Sequence, residues 1–398
     1  MNAKTIASSP AFGDPHMAGL YLHIPFCTQR CVYCDFYFTT TRRSHGSFVN
    51  ALGTELEFYA SHYADREPVE TIYLGGGTPS LLSLEDLARI LQTIHQHFDT
   101  DGVRETTLEM NPDDATPEYL DGLRSIGINR LSIGIQSFYP SDLEFMNRSH
   151  TPEQAEASLE YVAAAGFDTF SADLIFGIPD QPEEYWYANV QKLVRLGVPH
   201  ISTYSLTVEE RTPLYKMVER GLVHPAPDEE LEARYRFTME FLREHGYEHY
   251  EVSSFAKPNA RSQHNQIYWN HSNYLGFGPS AHSFWWTGLP AERWFNEANL
   301  RRYEALLQQH NVPIGGKEAM SLDMLANEYI LLRLRTSDGL DLDYLETKYG
   351  VDLLYEKEPA LADLEDEGYI DAMGDRHVRL TDSGMLLCDA ITTRLLLD

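Results

Sequence analysis

Short β-rich runs alternate with longer segments of helical period along the first half of this chain, and this alternation limits the possible folds more than any other feature. Strands separated by amphipathic helices require a parallel sheet with crossover connections. Six such units can be counted, fewer than the eight of a closed barrel. We therefore expect an α/β fold, a (β/α)6 partial barrel of the TIM type that stays open at its side. The expected strands cover residues 20–26, 70–76, 105–111, 130–136, 168–177 and 200–207.

The domain organisation follows from where this pattern begins and stops. The chain has 398 residues, more than the roughly 250 of a single α/β barrel. Residues 1–16 show no ordered pattern, so we expect a flexible leader there. The barrel should occupy residues 17–256, and an irregular, aromatic-rich segment at residues 257–315 should pack on it. A second domain should occupy residues 316–398.

The end of the chain has a different pattern. Three helices are expected at residues 323–334, 342–348 and 356–367, followed by a hairpin that turns at residues 374–375. This is the order of a winged-helix domain, a class that commonly binds DNA. From residue 321 onward, however, 7 Lys and Arg stand against 18 Asp and Glu, and this charge opposes DNA binding. We expect a structural or partner-docking role for this domain.

Charge and cysteine usage exclude several classes of protein. The formal net charge is −29 at pH 7, from 31 basic and 60 acidic residues, which opposes binding to nucleic acid or anionic lipid. No run approaches the roughly 18 apolar residues of a membrane span, so we expect no integral membrane segment. Three of the four cysteines fall within eight residues, which is not a disulfide framework. A reducing compartment, the cytoplasm, suits such thiols.

The three clustered cysteines are Cys27, Cys31 and Cys34, in the segment HIPFCTQRCVYCDF. A tight loop of this spacing can wrap three corners of an iron-sulfur cube, whose irons require soft thiolate ligands. A cube with four irons would then keep one iron open to an external molecule. A zinc site completed by His23, or three unrelated thiols, are the alternatives. The fourth cysteine, Cys388, lies in an apolar run and should be a small buried side chain.

Several polar and glycine-rich motifs fall on the expected strands. Residues 75–78, Gly-Gly-Gly-Thr, follow the second strand, Glu109 and Gln136 lie late in the third and fourth, and Asp173 lies midway along the fifth. The carboxyl ends of barrel strands form the active face, so these motifs should meet the cysteine loop. Glycines let a backbone approach a ligand, acids suit ribose hydroxyls or an ammonium, and Arg148 suits a carboxylate. A bare turn and exposed salt bridges are the alternatives.

The cysteine motif resembles that of the radical S-adenosylmethionine (SAM) superfamily. Within that superfamily, HIPFCxxxCxYCDF resembles the oxygen-independent coproporphyrinogen III oxidase-like branch and, in that branch, the HemW haem chaperones. The resemblance runs from Tyr21 to the final helix. It includes YLGGGTPS (73–80), EMNP (109–112), RLSIGIQSF (130–138), NRSH (147–150), DLIFGIPDQ (173–181), HNQIYW (264–269) and YLGFGPSAHSF (274–284).

The resemblance implies cofactors and the residues that hold them. It implies a barrel of the radical SAM type with a [4Fe-4S] cluster on the three clustered cysteines, and SAM bound at the open iron. It also implies an electron donor as partner, because one electron passes through the cluster into SAM. Related oxidases accommodate two SAM molecules, and the sequence does not assign residues to either copy. The implied SAM-binding positions are Tyr21, Gly76, Gly77, Thr78, Glu109, Gln136, Arg148 and Asp173.

Departures from the oxidase pattern favour one function over another. True oxidases of this branch carry a fourth cysteine two residues beyond the third, where this chain has Phe36, and they have a longer N-terminal segment. We therefore expect a chaperone that binds haem as cargo and passes it to apo-haemoproteins. The HNxxYW segment would supply His264 as an axial ligand, with Tyr268 and Trp269 as flat surfaces. The alternatives are a SAM-dependent coproporphyrinogen III oxidase, another radical SAM enzyme, and an iron-sulfur transcription regulator that the acidic tail disfavours.

Overall fold

The computed structural model of the protein describes residues 18–41, 45–63, 67–167 and 169–397, so the expected leader lies outside the described residues. Twelve strands of the described chain form one mixed sheet, and two more form a small separate sheet. The strands are β1 Ala18–Ile24, β2 Val69–Gly76, β3 Glu105–Met110, β4 Arg130–Gln136, β5 Thr169–Phe176, β6 His200–Ser205, β7 Glu248–Glu251, β8 Ser254–Ala256, β9 Tyr274–Phe277, β10 His282–Trp285, β11 Ala291–Asn296, β12 Ile314–Met320, β13 Leu340–Asp341 and β14 His377–Val378.

Helices connect these strands and bury their apolar faces against the sheet. In the second helix, Ser83 caps the first turn by accepting a hydrogen bond from the backbone of Asp86. The helices are α1 His45–Tyr63, α2 Leu84–His97, α3 Pro117–Ser125, α4 Pro140–Met146, α5 Pro152–Ala164, α6 Glu183–Arg195, α7 Pro213–Glu219, α8 Asp228–Glu244, α9 Gln263–Trp269, α10 Leu300–Gln308, α11 Leu322–Leu334, α12 Leu342–Tyr344, α13 Leu353–Glu356, α14 Glu358–Asp366, α15 Asp382–Leu386 and α16 Cys388–Leu395.

Helix α2 shows how sequence spacing fixes the packing. Leu87, Ile90, Leu91 and Ile94 recur at helical spacing and are all buried. Each such side chain stabilises the fold by roughly 1.5–3 kcal/mol when it leaves water. The opposite face of the helix is polar and faces solvent, so the helix can lie only one way on the sheet.

The expected partial barrel is confirmed. Strands β1 to β6 are parallel neighbours in chain order, each joined to the next through one or more helices. Strands β12 and β7 are the two ends of the sheet, so the barrel does not close on itself. Among the described residues, no helix is long and apolar enough to cross a membrane.

Alternation along the parallel strands separates the apolar core from a polar barrel interior. On β4, Leu131, Ile133 and Ile135 are fully buried in the hydrophobic core. Ser132 and Gln136 point to the other face and line a cavity. Successive side chains of a strand point to opposite faces, so each strand packs against helices with one set and presents polar groups inside the barrel with the other.

The expectation of an irregular segment at residues 257–315 is wrong. This part of the chain forms helices α9 and α10 and strands β9 to β12, which extend the sheet beyond β1. Strands β9 and β10 are four residues long, too short for an alternating pattern to show in the sequence. Buried Glu55 on α1 accepts hydrogen bonds from Tyr303 and Asn296, both at 2.6 Å, and fastens the segment to the barrel.

The tail follows the expected winged-helix-like order. Helix α11 is followed by β13, by the helical stretch that begins with α12, and by α13 and α14; β13 then pairs antiparallel with β14. The helix expected at residues 356–367 is α14, which begins two residues later than expected, with Pro359 in its first turn, where proline is tolerated; the short helix α13 precedes it. Cys388 is 4% exposed and packs in the core, as its apolar surroundings indicate.

Candidate functional site

A cavity of about 720 Å³ opens at the carboxyl ends of the barrel strands. The loop after β1 contributes the clustered cysteines, and the ends of β2 to β5 contribute glycines, acids and an amide. The structure thus brings ten of the expected site residues into the lining of one cavity. These are Cys27, Cys31, Cys34, Gly76, Gly77, Thr78, Glu109, Gln136, Arg148 and Asp173.

Backbone hydrogen bonds shape the cysteine loop. The N–H of Cys27 donates to the carbonyl of Thr39 at 3.0 Å, which draws the loop back beside the end of β1. The hydroxyl of Thr78 lies 3.8 Å from Sγ of Cys27, and a guanidinium nitrogen of Arg148 lies 3.5 Å from Sγ of Cys31. Burial raises the pKa of the Cys27 thiol to about 11. The loop therefore presents three thiols into a partly enclosed space beside a cation.

The donor chemistry fits a cluster better than zinc with His23. Nε2 of His23 lies 2.8 Å from the carbonyl oxygen of Tyr37, and Nδ1 lies 3.1 Å from the hydroxyl of Tyr21. Both ring nitrogens are therefore engaged within the barrel, and burial lowers the pKa of His23 to about 4. Across the described ranges, no three His, Cys, Asp or Glu side chains are grouped to hold a metal ion. Three thiolates from one loop, without an available histidine, suit an iron-sulfur group.

Two buried acids face the cavity from β3 and β5, the strands on either side of β4. Glu109 accepts hydrogen bonds from the Tyr73 hydroxyl at 2.7 Å and from the Gly76 N–H at 3.0 Å. Burial raises its pKa to about 7 despite these bonds. Asp173 accepts a hydrogen bond from Ser132 at 3.3 Å, and burial raises the pKa of this carboxyl too. Two enclosed carboxyl groups can accept hydrogen bonds from ribose hydroxyls or an ammonium group.

The glycine run is required by packing inside the protein. A Cβ at Gly76 would lie 2.6 Å from the ring of His23, and one at Gly77 would lie 2.7 Å from the carbonyl oxygen of Phe26. Gly76 also has φ +106°, which strains any residue with a side chain. The glycines therefore let β2 approach the cysteine loop, and they leave the backbone open at the cavity.

Unsatisfied polar atoms mark the wall formed by Arg148 and Gln136. One nitrogen of Arg148 donates to the Asn111 side chain at 2.8 Å and to the carbonyl of Gly134 at 2.9 Å. Nε of Arg148 and Oε1 of Gln136 are buried without a hydrogen-bond partner in the described structure. Buried polar groups are normally paired, so this wall fits a polar ligand such as SAM.

Tyr21 lies inside the barrel but does not line the cavity. Its hydroxyl contacts His23, and its ring stacks on that of Tyr73 with 6.1 Å between centroids. These contacts are those of a packed interior aromatic residue. The structure therefore gives Tyr21 no direct place at the expected SAM pocket.

The expected haem ligand His264 lies at the opposite end of the barrel. Its side chain is 1% exposed. Nδ1 lies 2.7 Å from the hydroxyl of Thr71, near the start of β2, and Nε2 lies 2.9 Å from the hydroxyl of Tyr268. Both ring nitrogens are thus engaged, and burial lowers the pKa of His264 to about 3. A buried ring with both nitrogens engaged argues against the prediction of His264 as an axial ligand; Tyr268 and Trp269 likewise do not line the cavity.

Comparisons with known proteins agree with this geometry. The family model for the radical SAM superfamily matches residues 21–208, and that for the HemN C-terminal domain matches residues 320–387. The heme chaperone HemW of Mycobacterium tuberculosis is 37% identical over 98% of this chain and 96% of its own length. The chain belongs to the HemW family. The heme chaperone HemW of Bacillus subtilis is 33% identical over 93% of this chain and 97% of its own.

The fold of this HemW-family chain is also that of a solved radical SAM enzyme. The coproporphyrinogen III oxidase HemN from Escherichia coli superimposes with a TM-score of 0.81, covering 96% of this chain and 91% of that one. The two sequences are 23% identical, so the comparison establishes a shared architecture. The shared architecture includes the tail as well as the barrel, because nearly the whole chain is covered.

Sequence reasoning missed several cavity residues of this HemW-family chain. Asn111 and Ser132 lie inside motifs that were recognised, and Ser132 alternates with Gly134 and Gln136, so strand alternation could have identified it. Arg335 and Asp389 come from the tail and pair at 2.9 Å beside the cavity. No local signal marks this pair, because its two members reach the cavity only through the packing of the tail on the barrel.

Proposed function

We propose that this protein is a radical SAM haem chaperone of the cytoplasm, which binds haem as cargo and transfers it to apo-haemoproteins. The observation that carries the proposal is the full-length similarity to proteins named heme chaperone HemW, at 37% identity over 98% of the chain. The cavity supports it, because three thiols, two enclosed acids and unsatisfied polar atoms line one space. Free thiols of this kind persist in a reducing compartment.

The proposal assigns residues to the two cofactors. Cys27, Cys31 and Cys34 would hold a [4Fe-4S] cluster, which supplies one-electron chemistry to SAM when both are bound and needs an electron donor as partner. Glu109 and Asp173 would accept hydrogen bonds from SAM, with Gly76, Gly77, Thr78, Gln136 and Arg148 completing the pocket. The surrounding protein orients these groups and limits the access of water.

Residue Phe36 supports a chaperone over an oxidase. The sequence places Phe36 where the related oxidases carry a fourth cysteine, and in the structure it lies at the cavity with 66% of its surface exposed. A phenyl ring offers neither a thiolate ligand nor a hydrogen-bonding group. An exposed aromatic side chain can instead cover the apolar face of a flat macrocycle.

The test combines haem titration with a turnover assay. Anaerobically reconstituted protein should give a shifted Soret band that saturates near one haem per chain. The same preparation, with SAM and a reductant, should release no carbon dioxide from coproporphyrinogen III. A second assay should show transfer of the bound haem to an apo-haemoprotein. Robust decarboxylation, or no saturable haem binding, would contradict the proposal.

A further inference from the structure

A second cavity of about 510 Å³ opens at the amino-terminal ends of the barrel strands. It lies between the starts of β3, β4 and β5 and the loop before α9, and it shares no lining residue with the cysteine cavity. Four arginines line it, Arg104, Arg124, Arg130 and Arg261, with Glu105 as the one acid among its described lining residues. The proposed chaperone function uses none of these side chains.

Arg130 is the buried member of this set. It is 2% exposed and stands at the start of β4, on the same face as Ser132 and Gln136. Its Nε has no hydrogen-bond partner among the described residues, and its nearest carboxylate oxygen, on Glu105, lies 3.7 Å away. A buried N–H donor without a hydrogen-bond partner is costly, so an anion that accepts this bond would stabilise the protein.

The carboxylate of Glu105 balances the charge of Arg130, but its oxygens are occupied by other hydrogen-bond donors. Its two carboxylate oxygens accept hydrogen bonds from the backbone N–H groups of Gln263 and His264, at 2.9 and 3.0 Å. The Thr107 hydroxyl donates to the same carboxylate at 3.2 Å. These bonds hold the start of α9 against β3. Glu105 therefore gives Arg130 a charge partner at 3.7 Å without a hydrogen bond to Nε, and this donor remains unpaired beside the cavity.

The arginines at the rim differ in their partners. Arg104 pairs with Glu70, and Arg261 pairs with Glu248 and Asp338. Exposed Arg124 donates to the backbone carbonyl of Ala165, a neutral partner. Arg124 thus contributes positive charge without an ion-pair partner among the described residues, and Arg130 contributes an unpaired N–H donor. Because the whole chain has a net charge of −29, only a local concentration of positive side chains such as this one can attract an anion.

We propose that this cavity binds a small polyvalent anion of the carboxylate or phosphate class, with Arg130 as the buried contact and Arg124 at the entrance. Guanidinium groups match the planar and tetrahedral oxygens of these anions with paired hydrogen bonds. The ligand enters from the face of the barrel opposite the cysteines, so it can be bound independently of cluster and SAM.

Calorimetry on the full chain tests this site with inorganic pyrophosphate and with citrate as probes. We expect saturable binding of at least one probe at one site per chain. Arg130→Gln should weaken it about tenfold or more, the factor expected for one hydrogen bond to a charged group. Arg124→Gln should weaken it less, because its side chain is exposed. Arg195→Gln, an exposed arginine on α6 outside the cavity, is the matched control and should leave affinity unchanged.

These titrations show whether the anion site exists. No saturable binding of either probe, or equal affinity in wild type and Arg130→Gln, overturns the proposal. If circular dichroism shows that Arg130→Gln does not fold, Arg124→Gln decides alone, and unchanged affinity in that variant overturns it. Haem added as a competitor distinguishes two sources of the anionic groups. If haem displaces the probe, the site binds the propionates of haem. If the probe stays bound, the site binds a free anion. If the wild-type protein does not bind haem at all, the calorimetric result for pyrophosphate and citrate still stands. Failure of the proposed chaperone function and failure of this anion site are therefore distinguishable.

Discussion

Among single residues, the four cysteines differ in what surrounds them. Cys27, Cys31 and Cys34 line the cavity and are partly exposed, whereas Cys388 is buried in apolar packing of the tail. A thiol can ligate iron only where the iron can reach it. The same residue type therefore has two different environments in this chain, and only the cavity thiols are placed where a ligand could reach them.

Substitution of the cavity cysteines should remove the iron. After anaerobic reconstitution, wild-type protein should hold about four irons per chain, and Cys27→Ala, Cys31→Ala or Cys34→Ala should abolish the visible absorption of the cluster. Cys388→Ala is the control and should reconstitute like wild type. Iron and sulfide analysis with absorption spectroscopy makes the measurement. Four irons retained in Cys31→Ala would contradict the ligand assignment.

Glu109 should make SAM binding depend on pH near neutrality. Burial raises the pKa of its carboxyl to about 7, so this group is mostly protonated and neutral below that pH. Above that pH, the ionised carboxylate attracts the cationic groups of SAM. We therefore expect SAM affinity, measured by calorimetry, to rise as pH increases from about 6 to about 8.

Two variants separate Glu109 from other titrating groups. Glu109→Gln keeps the shape of the side chain without its ionisation, so its SAM affinity should lose this rise across the same pH interval. Glu118→Gln, an exposed acid on α3, should keep the wild-type profile. A wild-type affinity that does not change with pH would contradict the role given to the Glu109 carboxylate.

At the scale of elements, helix α9 packs on β2 and β3 at the amino-terminal end of the barrel, beside the second cavity. Its backbone N–H groups are held by Glu105 of β3, and its His264 side chain reaches Thr71 of β2. The ring of His264 also stacks on that of Tyr73 with 5.0 Å between centroids. The HNxxYW motif thus has a structural role here, fastening a short helix to two strands.

Removal of the His264 ring should destabilise the protein and leave the haem spectrum unchanged. His264→Ala loses two buried hydrogen bonds and opens a cavity, so the free energy of unfolding should fall by about 2–4 kcal/mol. Denaturant unfolding measures this, with the exposed His97→Ala on α2 as a control that should match wild type. A Soret band that disappears in folded His264→Ala would instead restore the histidine as a ligand.

For the whole molecule, an aromatic cluster joins the tail to the extended sheet. Tyr349 of the tail is 3% exposed, and its hydroxyl lies 2.9 Å from Nδ1 of His271. Its ring lies 5.4 Å from that of Trp286 and 5.0 Å from that of Tyr329, measured between centroids. This cluster holds the tail against the barrel, where Arg335 and Asp389 border the cavity.

Loss of this cluster should loosen the tail. Tyr349→Ala should lower the free energy of unfolding by about 3–5 kcal/mol, as expected for truncating a buried aromatic ring. Limited proteolysis should then cleave the tail faster than in wild type. Tyr355→Ala is the matched control, because that ring is 81% exposed. Equal protease resistance in Tyr349→Ala and wild type would show that the tail is held elsewhere.

The sequence by itself determined the features that depend on neighbours along the chain. Strand alternation and helical spacing gave the six parallel strands to within a few residues, because each pattern is local. The spacing of Cys27, Cys31 and Cys34 predicted a shared cluster loop for the same reason. Their common cavity with Glu109 and Gln136 followed from the rule that strand ends of a barrel meet at one face, whereas the place of Arg148 was implied only by the family resemblance.

Only the tertiary structure decided what depends on residues far apart. His264 lies 193 positions from Thr71, its hydrogen-bond partner, so no local pattern could show that its ring is buried and engaged. Strands β9 to β12 extend the sheet beyond β1, and the second cavity is lined by parts of the chain represented by Arg130, Phe167 and Arg261. Packing between distant parts of the chain fixes burial and pairing, and these decide whether a side chain can reach a ligand.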